Sequence, residues 1–558
     1  MTMIKIKFIR STYILLLLGI AAVGCKKNFL EKPPTDSIVD AGFYKTDEQV
    51  LASTSLLYSK VWFDYNDKAS YNLGDFRAGT AFSAWNDRGN VLFNTTGDNQ
   101  ENGASWRAFF NVVGQANLTI HNIEKYAGPE VSPAIKKMGI AEARFMRALA
   151  YRFLVMNWGP VPIVENNIEK LSDTSISRNT VSSVWRFITR EMRAVAEDLP
   201  VTAVQPGRLT RWSAEAMLAR FYLTRAGVEA NGLNRNQQFL DSAKYYAERV
   251  ITNSGKSLVA KYEDLFKFPY DNNSESLFEL QWVFQPGSWG VQNSAPAYLA
   301  YSPDIANGDG WGGDKGATWW MIKQYDGIVE QPNGSLKGRT LDQRLKATFM
   351  LPGAYYPEIT QLTNGVKQKL TFPFTGTDQN FLSIKKYVIG KAEDVGGQAA
   401  SQVYPNNTYM MRLAEVYLIY AEAALGNNSS TTDAKAVEYF NKVRTRAGLA
   451  AFADPLTIDV IFRERVLEFA VEGMAWYDLV SLHYYNPSKA YSILNSQDRG
   501  LFFTAPDQMP NPTSWTFTKT SWFTERTINA NAGNFLLPIP NVELSHAPNL
   551  QKPAVDYP

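Results

Sequence analysis

Apolar positions recur at helical spacing along most of the chain. In residues 141–157, Phe145, Ala148 with Leu149, Arg152, and Val155 with Met156 fall three or four apart, and Gly159-Pro160 stops the pattern. The same spacing predicts helices over 181–199, 213–226 and 239–252, and again over 413–425 and 434–447, which flank Gly426-Asn427. Residues 46–63 resume it from a Thr46-Asp47 start. Residues 13–23 differ, being apolar throughout, with Lys5, Lys7 and Arg10 before them and Gly24-Cys25 after. That is the form of a secretory signal peptide, and it is too short for a stable membrane-spanning helix.

Small residues mark where the predicted helices cross. Ala214, Ala216, Ala219 and Ala226 lie in one predicted pair, and Ala414, Ala421, Ala423 and Ala424 in the other. The pairs resemble tetratricopeptide repeat units at irregular spacing. The fold class expected is therefore predominantly all-α, a tetratricopeptide-repeat-like helical scaffold with long irregular loop insertions. The insertions, residues 62–114 and 285–331, are rich in Gly, Asn, Asp, Trp and Tyr and too long to be idle connectors. Loops on a rigid scaffold are where binding residues usually sit. Residues 26–37, with Pro33-Pro34, read as a tether.

Composition narrows the chemistry. The 558 residues are 45% hydrophobic and 20% charged, which suits a globular chain with a large core. The formal net charge is +2, and loss of the three cations in residues 1–24 leaves −1. Such a chain has no field to attract nucleic acid. Its single cysteine excludes intrachain disulfides, cysteine-cluster zinc and iron–sulfur sites. Because Cys25 follows Ala21, Ala22 and Gly24 at the end of the apolar run, it reads as a lipoprotein cleavage site, with Ala22 where Leu is commoner. Residues 1–24 would be removed, and residues 25–558 would be one domain anchored to a membrane through acyl chains on Cys25. Aromatic residues reach 13%, with 14 Trp and 28 Tyr, which suits a surface binding flat apolar faces edged with hydroxyls.

Catalytic patterns are weak. Gly308-Asp309-Gly310-Trp311-Gly312-Gly313 matches a bare dinucleotide fingerprint, but no strand precedes it and no βαβ unit surrounds it. Glu464, Glu468 and Glu472 share one helical face, and a glycosidase pair would instead flank a cleft from separate elements. With Arg463 and Arg465 interleaved, the row reads as an ion-pair network tying helices together. His121, His483 and His546 are scattered and begin no zinc motif, and Asp304, Asp309 and Asp314 lack calcium-loop spacing, so neither metal nor cofactor is expected.

Seven blocks, read in order, resemble the SusD/RagB family: NFLEKPPTDS (28–37), AEARFMRALAYRFLVMNWGPVPIV (141–164), RLTRWSAEAMLARFYL (208–223), RLAEVYLIYAEAAL (412–425), FNKVRTRAGL (440–449), ERVLEFAVEGMAWYDLV (464–480) and NFLLPIPNVELSHAPNL (534–550). The resemblance implies a non-enzymatic outer-membrane lipoprotein that faces the cell exterior and captures glycan for a SusC-like, TonB-dependent transporter. Some members capture peptides instead. A secreted glycoside hydrolase and a transporter-gating scaffold without ligand are the alternatives. A pyranose needs a flat aromatic platform and planar hydrogen-bonding groups. By the same resemblance, Trp85 and one of Trp289, Trp311 or Trp320 would be platforms, with Asp75, Arg77, Asn86 and Arg88 contacting hydroxyls. Tyr298 and Tyr301 lie in the second insertion, where Tyr301 is a further candidate. Alternatively, Trp319-Trp320 begins a helix and packs at least one ring inside.

Overall fold

A computed structural model describes residues 40–85, 88–170, 173, 175–363, 365–374, 381–520 and 525–558. The signal segment, the tether with Cys25, and Asn86 lie outside the described residues. The scaffold helices are α1 (Asp47–Ser55), α2 (Gln100–Tyr126), α3 (Pro133–Trp158), α4 (Val181–Asp198), α5 (Arg211–Val228), α6 (Gln237–Asn253), α7 (Leu413–Leu425), α8 (Ala434–Arg446), α9 (Ile458–Phe469) and α10 (Ala475–His483). From α2 to α6 each helix packs on the next; after the interruption at 254–412, α7 packs on α6 and α8 on α7. Side-chain caps fix the starts. Thr46 accepts from the Gln49 N–H while Gln49 accepts from the Thr46 N–H, and Ser132, Thr180, Asn236 and Asp433 cap α3, α4, α6 and α8. Each cap contributes about 1 kcal/mol. Gly159 and Gly426, at φ 72° and 56°, end α3 and α7.

Helix α3 is the axis of the helical half. Residues 145–158 are all buried, Arg147, Arg152 and Asn157 included, so it is enclosed on every side. Its earlier Glu142 is met by Arg208 at 2.9 Å and the Tyr58 hydroxyl at 2.6 Å, and its Arg147 by Glu191. Helix α2 departs from the sequence expectation, because it begins inside the 62–114 segment read as an irregular insertion. Asn99 caps it, and burial of Trp106, Phe109, Val112 and Val113 against α3 overrides a polar and glycine-containing local sequence. The segment before it is built of 3-10 turns and two π-helical turns, Tyr65–Ala69 and Asn72–Phe76.

The strands are short: β1 (Ala81–Ser83), β2 (Ser276–Leu280), β3 (Lys315–Ala317), β4 (Ile328–Glu330), β5 (Leu336–Gly338), β6 (Tyr355–Thr363), β7 (Val366–Thr371), β8 (Thr408–Arg412), β9 (Phe502–Pro506) and β10 (Trp515–Lys519). All pairings are antiparallel: β1 with β3, β2 with β8, β6 with β7, and a four-stranded sheet ordered β4-β5-β10-β9. Two main apolar cores, with two small satellites, result among the described residues. One fills the helical half around α3, and the other fills the strand-and-loop half around Tyr71, Phe82, Trp319, Phe349 and Tyr387. Helix α9 belongs to both, with Ile461 and Phe469 in the first and Val466 and Leu467 in the second.

A buried ion-pair network lies at this seam. Glu468 contacts Arg446 at 2.5 Å, Arg412 at 2.9 Å and Arg344 at 3.3 Å. Glu464 pairs with Arg344 at 2.6 Å, and Glu472 with Arg412 at 2.8 Å and Lys386 at 3.0 Å. Glu275, just before β2, joins Arg412 and Arg446, while Asp342 closes on Arg344. The glutamate row is thus a network, as the sequence reading held, but its partners are not the interleaved arginines. Arg463 pairs with Asp326, and Arg465 with Asp478 and Glu415. Nor is Glu472 on the same helical face, since α9 ends at Phe469 and a tight turn returns Glu472 to the cluster.

Burial alone would raise the Glu468 carboxyl, but Arg446, Arg412 and Arg344 overcome it and hold the group at about 2. A depressed carboxyl contributes stability that is complete above its ordinary value near 4.5 and is lost as pH falls toward 2. Removing one member of a buried charge cluster typically costs about 3–5 kcal/mol. Glu468→Ala is therefore expected to lower unfolding free energy by about that much in denaturant titrations at neutral pH, and to flatten the acid limb of the stability profile. A loss under about 1 kcal/mol would mean that the network is not holding the seam.

Candidate ligand-binding site

The second π-helical turn carries Asp75-Phe76 and is followed at once by Arg77, and the structure corrects the expected role of this stretch. Asp75 is fully buried: its carboxylate accepts the N–H groups of Val471 and Gly473, both at 2.8 Å, and the Thr80 hydroxyl at 2.8 Å. Burial pushes Asp75 up to about 6, against the pull of these three donors. Arg77 is equally buried, donating to the carbonyls of Asn534 and Phe535 and lying over the rings of Phe93 and Trp476. Neither can meet a ligand in solvent. They form the support beneath the site.

The support reaches the ion network directly. Val471 has φ 63°, a left-handed conformation that a β-branched residue adopts only when the surroundings enforce it. Asp75 holds its N–H there, and Glu472 of the network is the next residue. Backbone approaches backbone so closely that a Cβ on Gly74 would lie 2.3 Å from the Gly473 Cα. From this turn the chain runs into β1 and then to Trp85.

The second insertion supplies the facing wall. Gly310 and Gly312 lie against the 299–303 backbone, where a Cβ on Gly312 would be 2.0 Å from the Leu299 oxygen. This contact lets the Trp311 N–H reach the Ala297 carbonyl at 2.9 Å and the Gly312 N–H reach Ala300 at 2.8 Å. The fingerprint-like glycines therefore present a tryptophan side chain. Asp314 ties this loop to the first one: it accepts the Trp85 N–H at 3.1 Å and the Ser83 hydroxyl at 3.0 Å, and it pairs with Lys315 at 2.7 Å. The buried Lys315 ammonium also donates to the Trp311 carbonyl at 2.8 Å and lies 4.3 Å over the Tyr298 ring. Burial opposes ionisation of Asp314, but Lys315 and these donors hold it below the ordinary carboxylate range. Trp289 is braced separately, edge-on to Phe63 at 5.3 Å.

Between these walls is an open cleft of about 610 Å³. Trp289, Trp311 and the largely buried Tyr298 line its aromatic side, while Asp67, Lys68, Gln100, Glu101 and Gln402 supply polar groups. Asp67 is fixed by the Ser294 hydroxyl at 2.6 Å. Among the described tryptophans, Trp85, Trp289 and Trp311 alone are mostly exposed, at 66%, 60% and 59%. Trp85 does not line the cleft itself but stands beside it on the Asp314 tie.

The remaining candidates fall elsewhere. Trp320 packs against the loop-half core next to buried Trp319, in the short helix Trp319–Ile322 that Thr318 caps. Tyr301 is half-buried, edge-on to Phe372 at 5.0 Å, and burial and then Asp304 raise its hydroxyl to about 12. Arg88 is ion-paired with Glu525. Apolar neighbours explain the placement of Trp320: Met321 and Ile322 follow it, whereas glycines surround Trp311 and follow Trp289. The polar lining was missed because those side chains sit among many similar ones. Asp67, Lys68, Gln100 and Glu101 belong to the first insertion, but Gln402 comes from a third segment that carries no signal of its own. Among the described residues, no group of His, Cys, Asp or Glu is arranged to hold a metal ion, and no helix is long and apolar enough to cross a membrane. His483 is stacked on Phe535 at 3.9 Å and lowered to about 4 by burial, as befits a structural group.

A family model described as the SusD family matches residues 274–557, and one described as starch-binding associating with outer membrane matches residues 29–223. A SusD-like protein of Bacteroides ovatus is 36% identical over 553 residues, covering 96% of this chain and 95% of the relative. This chain belongs to the SusD family. A solved structure with xylogluco-oligosaccharide is 33% identical, with a TM-score of 0.79 over 91% of this chain and 99% of that chain. A laminarin-binding SusD-like protein shares the fold at 23% identity, with a TM-score of 0.65 over 90% of this chain and 98% of that one. Helices enclosing an axial α3, with irregular segments carrying the cleft, are thus the architecture of this SusD-family member.

Proposed function

We propose that this SusD-family protein captures glycan at the outer surface of the outer membrane and passes it to a SusC-like, TonB-dependent transporter. The observation that carries the reading is the pair of exposed tryptophans, Trp289 and Trp311, lining one cleft edged by carboxylate, amide and ammonium groups, with exposed Trp85 tied to the same loop through Asp314. A pyranose stacks its C–H face on such rings and offers hydroxyls to planar polar partners. The relative solved with xylogluco-oligosaccharide makes that class of glycan the first ligand to test. The protein acts as a binder without cleaving its ligand. The glutamate row that could imitate a glycosidase pair is buried in ion pairs, beyond the reach of any sugar. Residues 1–24 direct export, acylated Cys25 anchors the chain, and the helical surface faces the transporter.

Two or three ring contacts, set against the cost of immobilising a flexible sugar, correspond to roughly micromolar to millimolar affinity. Calorimetry with xylogluco-oligosaccharides and a panel of other glycans is expected to show binding in that range. Trp289→Ala and Trp311→Ala should each weaken it by at least about tenfold, or about 1.4 kcal/mol. Trp85→Ala should weaken longer oligosaccharides more than short ones. Chromatography of the same mixtures should show no released products; their appearance would establish the hydrolase alternative, and selective peptide binding would change the ligand class.

Anchor and partner are tested together. Gentle detergent extraction of the native chain should recover a larger β-barrel protein, and Cys25→Ala should move to the soluble fraction in cells lacking that partner. A chain always recovered alone, or a variant still membrane-bound in those cells, would contradict this part of the reading.

A further inference from the structure

Away from the ligand cleft, a small cavity of about 40 Å³ lies where α3, α5, α7, α9 and α10 meet. Arg152 of α3 lines it. Its guanidinium is 2% exposed and lies 4.7 Å over the Tyr477 ring and 5.0 Å over the Phe153 ring. Its Nε and Nη1 have no hydrogen-bond acceptor among the described residues. A second lining guanidinium, that of Arg465, likewise has an unmatched Nη1.

Among the described residues, Arg152 takes part in no ion pair around the cavity. Glu415 is shared by Arg220 and Arg465, the latter at 3.1 Å, and Asp478 is taken by Arg465 at 2.7 Å. Glu422 is taken by Arg235 and Asp459 by Lys489, each at 2.7 Å. Every lining carboxylate is therefore paired with a cation other than Arg152, whose guanidinium has no carboxylate of its own. Burial, reinforced by Arg220, lowers Arg152 to about 10, the direction expected of a cation in need of a counter-charge. A buried charge with unmatched N–H groups is costly, and aromatic faces compensate it only in part. The volume admits one to a few water-sized occupants, too few for a sugar or nucleotide. At the outer end Lys489 and Asp459 are 30% and 69% exposed, giving a path from solvent.

We propose that this cavity binds one small monovalent anion of halide size between the unmatched N–H groups of Arg152 and Arg465. The ion supplies the acceptor that Arg152 lacks where the scaffold helices converge, so it is a structural ligand of the scaffold, independent of the glycan cleft.

The test uses bromide as the probe. Crystals of the whole chain grown or soaked in bromide should show an anomalous peak within hydrogen-bonding distance of both guanidinium groups. In solution, the thermal midpoint should rise by about 2 °C and saturate as chloride replaces gluconate at constant ionic strength. Arg152→Met should abolish that saturable shift while the protein remains folded. No anomalous peak at the cavity in crystals that take up bromide elsewhere, or a midpoint indifferent to chloride, would overturn the proposal. If Arg152→Met fails to fold, the bromide map of the unaltered chain decides alone.

Discussion

The pairing of Glu468 with three arginines is the contact on which the rest of the molecule depends. Arg344, Arg412 and Arg446 come from three separate parts of the chain, and all converge on one carboxylate of α9. Since α9 packs into both apolar cores, this convergence fixes how the helical half meets the strand-and-loop half. Buried ion pairs are poor sources of net stability, because desolvation consumes most of the attraction. Their geometry is demanding, however. A guanidinium with five directed donors accepts few arrangements, and the two halves must meet in one that satisfies all of them.

That precision passes outward to the cleft through short links. The network holds Glu472; the same turn places the Val471 and Gly473 N–H groups on Asp75; and Asp75 sets the π-helical turn that leads into β1. β1 pairs with β3, and Asp314 beside β3 closes the circuit to Trp85 while Lys315 reaches the Trp311 carbonyl. Stacking on a sugar requires rings that keep their place, and flexible loops alone would spend ligand affinity on ordering. The aromatic rings are exposed, but the backbone beneath them is tied at every step to buried polar groups.

Much of this was legible in the sequence, and the exceptions have physical causes. Strongly periodic segments such as 181–199 and 413–425 appear as helices within a residue of the expected bounds, because their apolar positions pack against the neighbouring helices. Helix α2 was hidden because its first turn is polar and its apolar face is defined only by packing on the following helix, α3. Asp75 and Arg77 looked like solvent-facing ligand contacts because charge alone suggests exposure; their partners lie about 400 residues away and leave no local trace. Separation in sequence, from 22 to 124 residues for Glu468, also concealed the real partners of the glutamate row, although its role as a network could be read from spacing. Trp311 could be recognised by the glycines around it, which both expose the ring and allow the loop to lie against its neighbour.

The central claim is that the exposed tryptophans form a preset glycan platform held by this buried frame. The most direct measurement is a crystal structure of the chain with a saturating xylogluco-oligosaccharide, compared with the same crystal form without sugar. The account predicts sugar rings stacked on Trp289 and Trp311, with backbone shifts in the cleft below about 1 Å. Sugar bound away from these rings, or a platform assembled only by large loop movements, would contradict it.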